Sequence, residues 1–136
     1  MLVRLIITIL IMVSTTIHAD TIDHYMNIVT NIPQMEMKAD PESQAWARSA
    51  RNVLILTSES VGESLMLVND TSTRLGTPIF CLPPSVRLNG VMLNELIQQT
   101  YRDISSQQSD KNSMTVSQVA LLGVTKLYPC VQQQAK

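Results

Sequence analysis

Hydrophobic and polar positions alternate along this chain with a helical period, interrupted by short polar or proline-rich stretches. Tyr25, Ile28 and Val29 fall at helical spacing, predicting a short helix over 21–31 capped by Asp20 or Thr21. Ile32-Pro33 should end it, because a residue before proline avoids the α region, leaving 34–39 as a connector. Asp40-Pro41-Glu42 reads as a helix start, with Asp at the cap, Pro at the first helical position and an acid in the first turn. Trp46, Ala50, Val53, Leu54, Thr57, Val61, Leu65 and Val68 then recur at spacings of three and four, carrying this helix to about Asn69. Residues 69–76 read as a turn, and 77–85, with three prolines and Cys81, as irregular chain. Leu93, Leu96, Ile97, Tyr101 and Ile104 predict a third helix over 87–105. A last helix begins near Thr115, where Thr115 and Gln118 fit a capping box and Met114 and Val119 a staple. Val116, Val119, Ala120, Gly123 and Leu127 are its apolar stripe, and Pro129 its stop.

The pattern predicts an all-α fold, a small bundle of about four main helices. Low Gly and aromatic content agree, since a β-sandwich would need more of both. Eight methionines suit an irregular helical core.

Residues 1–19 read as a secretory signal. A basic start at Arg4 precedes a run of nine residues, 5–13, apolar except for Thr8, and a small-residue end, Ile17-His18-Ala19. Nine residues are too few for a membrane span, which needs about 20. Residues 20–136 then form a single domain, exported to the periplasm of a Gram-negative bacterium and not held at a membrane. It retains 9 basic and 11 acidic residues, so it lacks the basic face that nucleic acid requires. In an oxidising compartment, a chain with only Cys81 and Cys130 has one possible intramolecular bridge.

Candidate chemistry is sparse. His24 beside Asp20 and Asp23 is one histidine with two carboxylates, short of a zinc ligand set. Glu59 and Glu63 lie one turn apart but among serines, as on a solvated face. No Gly-x-Ser-x-Gly elbow, Gly-rich phosphate loop or Ser-x-x-Lys occurs. The chain therefore reads as a binding protein and not an enzyme, with no catalytic residue, metal or cofactor.

The cysteine frame carries a resemblance. Phe80-Cys81-Leu82-Pro83, a helix with Leu96-Ile97 and Tyr101, Val119-Ala120-Leu121-Leu122, and Leu127-Tyr128-Pro129-Cys130 follow one another as in the Tai/Rap family. These are periplasmic immunity proteins that neutralise type VI secretion cell-wall amidases. The resemblance covers about 80–130 and is nearest the branch that neutralises the fourth amidase-effector family. It implies an all-helical homodimer whose protruding loop plugs the amidase groove. The chain departs from the family's short Pro-containing link in having a longer polar loop: Ser105, Ser106, Gln107, Gln108, Ser109, Asp110, Lys111 and Asn112. That loop is the candidate effector-binding segment, with Asp110 and Lys111 at its tip. A periplasmic acid-stress chaperone, also small, helical and single-disulfide, is the alternative. Such chaperones are rich in lysine, and here only Lys38, Lys111, Lys126 and Lys136 follow the signal.

Overall fold

The computed structural model describes residues 20–104 and 108–130. The expected signal segment, and Ser105, Ser106 and Gln107 of the candidate loop, lie outside them. The described residues form four helices: α1 (Ile22–Glu36), α2 (Pro41–Arg74), α3 (Gly90–Asp103) and α4 (Val116–Leu127), with a 3₁₀ turn at Lys111–Ser113. Among the described residues there is no strand, only an isolated antiparallel bridge between Thr21 and Thr115. The all-α expectation holds, as does the bridge between Cys81 and Cys130, whose Cα atoms lie 4.9 Å apart.

Three of the four helix starts follow the sequence signals, and the Asn89 cap of α3 is the exception. The Thr21 side chain accepts from His24 N, Asp40 from Ser43 N, Asn89 from Met92 N, and Thr115 from Gln118 N within a complete capping box. The helix ends depart from expectation twice. α1 does not stop before Pro33; it runs through it to Glu36. A proline inside a helix costs about 3 kcal/mol. The turn beyond it sets Met35 against the core that Ile32 already joins, and burying such a side chain returns up to about 1.5–3 kcal/mol. The helical ladder resumes directly, with Met37 N donating to Pro33 O at 3.1 Å.

α2 does not stop near Asn69 but continues to Arg74, 34 residues or about 51 Å of helix. A Schellman motif ends it. Thr77 N donates to Ser72 O, Gly76 N donates to Thr73 O, and Gly76 takes the left-handed conformation at φ 81°. α3 begins at its Asn89 cap, later than the expected residue 87, because its first turn is fixed by the Asn89 carbonyl group.

The core is built on Ile22, Tyr25, Phe80, Leu93, Ile97, Val119 and Val124, all 1% exposed or less. The buried face of α2 is rotated from the predicted stripe. Ala47, Ala50, Leu54, Ser58, Gly62 and Asn69 are buried, whereas Trp46, Val53 and Val68 are 40%, 52% and 53% exposed. Small side chains permit close helix approach. A Cβ on Gly90 would lie 2.6 Å from Ile55 O on α2. Leu127, expected in the stripe of α4, is exposed, and Val124 is buried instead.

Candidate functional site

The described part of the candidate loop, 108–112, is held at Lys111 and Asn112, and the chain just beyond it at Met114 and Val116. From α3, the Tyr101 hydroxyl donates to Asn112 Oδ1 at 2.8 Å. From the end of α3, Ile104 O accepts from Lys111 Nζ at 3.0 Å, and that ammonium lies 4.2 Å from the centroid of the Tyr101 ring. From α1, Ile22 N donates to Met114 O at 2.8 Å, while Val116 N donates to Asp20 O at 3.2 Å.

Within the loop, Asp110 O accepts from Ser113 N, Met114 N and the Ser113 hydroxyl, which closes the 3₁₀ turn. Gln108, Ser109, Asp110 and Asn112 are exposed, and Gln108, Ser109 and Asn112 border, with Tyr101 and Lys111, a concavity of about 350 Å³. Sequence reading set Asp110 and Lys111 side by side at the tip. The structure separates them. Asp110 is exposed, whereas the ammonium of Lys111 turns back onto the protein and braces the loop.

A second anchored segment is the proline-rich stretch after α2. The Asn69 side chain accepts from Ile79 N and Phe80 N at 2.9 and 3.1 Å and donates to Phe80 O at 3.0 Å. Beyond it, Cys81 N donates to Tyr128 O at 2.9 Å beside the disulfide. The proline-rich stretch is therefore fixed to α2 at one point and to the end of α4 at another.

A polar cluster sits in the core, and no sequence pattern announces it. The Tyr25 hydroxyl donates to Asn94 Oδ1 and lies 2.9 Å from the fully buried Ser58 hydroxyl. Burial pushes the Tyr25 phenol above its ordinary value, with the Ser58 hydrogen bond opposing, so it stays neutral and able to donate. Asn94 and Gln98, one turn apart on α3, were the available signal. At the sequence level they merge with the polar face.

His24 is exposed, as are Glu59 and Glu63. Among the described residues, no three His, Cys, Asp or Glu side chains gather to hold a metal ion. No helix among them is long and apolar enough to cross a membrane. No family model, curated protein or solved structure matches the chain.

Proposed function

We propose that this protein is an exported immunity protein that binds a type VI secretion peptidoglycan amidase and occludes its active-site cleft, doing no chemistry itself. The observation that carries this reading is the bracing of the loop on Tyr101, Ile104 and Met114. A segment ordered before it meets its partner loses less conformational freedom on binding, so more of the contact energy appears as affinity. Its exposed amide, hydroxyl and carboxylate groups at Gln108, Ser109 and Asp110 suit the polar lining of a cleft that admits an extended peptide. The likeness of the cysteine frame to the Tai/Rap family supports the same reading, and the formed bridge is consistent with an oxidising periplasm.

The protein acts as a homodimer in this proposal. Trp46, Val53 and Val68 leave an apolar flank along α2 that α1, α3 and α4 do not cover. The test of inhibition is to replace 107–111 with a Gly/Ser linker. Helicity and melting should persist while protection against the amidase encoded beside it is lost. Full protection by the swapped protein at native expression refutes the loop assignment. Failure of the unaltered protein to bind or protect against any neighbouring amidase refutes the immunity reading.

A further inference from the structure

Where α1, α2 and α3 meet, the surface opens into a cleft of about 240 Å³. Val29 and Ile32 line it from α1, and Leu54 and Ile55 from α2. Three polar side chains complete it: Asn94, Gln98 and Arg51.

Their hydrogen bonds fix which atoms are offered outward. Tyr25 spends its proton on Asn94 Oδ1, so the Ser58 hydroxyl is the donor to Tyr25. Asn94 Oδ1 also accepts from Gln98 Nε2 at 3.1 Å. The Asn94 oxygen is therefore committed inward, and its NH₂ group has no acceptor among the described residues. No buried side-chain nitrogen or oxygen among them lacks a partner, so this half-buried NH₂ reaches open space, as does the Gln98 carbonyl oxygen. Arg51 gives Nε and one terminal nitrogen to Glu36, at 2.8–2.9 Å, and keeps its other terminal nitrogen.

We propose that this cleft docks a neutral peptide amide bearing one aliphatic side chain, held by Asn94, Gln98 and Arg51. The Asn94 NH₂ and the remaining Arg51 nitrogen donate to its carbonyl, and its N–H donates to Gln98 Oε1. The aliphatic group lies among Val29, Ile32, Leu54 and Ile55. Charge selects the amide over a carboxylate, because Glu36 already neutralises Arg51 and a second anion would meet the first. Size selects a single residue, since the cleft falls below the roughly 300–1,000 Å³ of drug-sized sites. The site is distinct from the loop, and nothing in it depends on the inhibitor reading.

Titration of the ¹⁵N-labelled protein with N-acetylleucinamide tests it. Saturable shifts are expected in the side-chain amides of Asn94 and Gln98, with N-acetylleucine binding more weakly because its carboxylate brings a second anion beside Glu36. Asn94→Asp keeps the oxygen that serves Tyr25 but replaces the outward donor, and should weaken binding about tenfold or more. Val29→Phe should fill the cleft and abolish binding with the fold retained, and it decides the matter alone if Asn94→Asp does not fold. Absence of saturable shifts, equal binding of the carboxylate, or undiminished binding by Val29→Phe overturns the proposal.

Discussion

Asn69 pairs with Phe80 as a neighbouring strand would, accepting from its N–H and donating to its C=O through one side-chain amide. Both residues are buried, so this amide stands where the sheet partner of an extended segment would otherwise be. Asn69→Ala leaves two buried backbone groups of Phe80 unpaired. At about 1–3 kcal/mol for each unsatisfied group, the loss should be about 2–6 kcal/mol. Urea unfolding measures it. A loss below 1 kcal/mol would mean that water or rearrangement replaces the amide.

The disulfide should contribute about 4 kcal/mol in the loop-entropy account, for a sequence separation of 49. The double variant Cys81→Ser, Cys130→Ser should melt markedly lower while keeping its helical circular dichroism. An unchanged melting temperature would show that the hydrogen bond of Cys81 N to Tyr128 O and the Asn69 contacts suffice to hold the segment.

Gly90→Ala should destabilise despite the better helix propensity of alanine. The propensity gain is at most about 1 kcal/mol. The added methyl meets the Ile55 backbone carbonyl at 2.6 Å, and backbone cannot swing aside as a side-chain tip can. Overpacking of this kind costs about 1–3 kcal/mol. A stabilised variant in thermal unfolding would mean that the crossing of α2 and α3 is looser than described.

Acid should weaken the start of α2. The Ser43 backbone N–H holds the Asp40 carboxyl below its ordinary value of 3.8, helped by the Ser43 hydroxyl and by Lys38. A group with a depressed folded-state pKa contributes stability that is fully present above the unfolded value and is lost as pH falls through the folded one. Asp40→Asn retains a capping oxygen but does not titrate there. Its stability should therefore change less than wild type between neutral pH and pH below 3.8. Parallel slopes in pH-dependent unfolding would contradict this.

The proposed dimer predicts that Val53→Glu with Val68→Glu yields a monomer, both positions being half-exposed and apolar on one flank of α2. Analytical ultracentrifugation at micromolar concentration reads the outcome. A wild-type protein that sediments only as a monomer ends the dimer reading.

Much of this protein is written locally. The caps at Thr21, Asp40 and Thr115 act within three residues of themselves, and each is legible because a short polar side chain there completes an orphan N–H of the first turn. The single disulfide follows from cysteine number, and the helical class from the spacing of apolar residues. Three features were decided only by the assembled structure, because each depends on residues distant in sequence. Pro33 stays within α1 because the core rewards the turn that follows it. Asn69, a turn former by local preference, remains helical because Ile79 and Phe80 need its amide. The buried face of α2 consists of Ala, Ser and Gly where its neighbours approach closely, leaving the larger Trp46, Val53 and Val68 outside. Hydrophobic periodicity alone weights large side chains, so it finds Ala50, Leu54, Val61 and Leu65 but also takes in the exposed Trp46, Val53 and Val68. The candidate loop divides in the same way. Its polarity and exposure are plain in the sequence, but the inward turn of Lys111 depends on Tyr101 and Ile104, brought to it by the packing of α3.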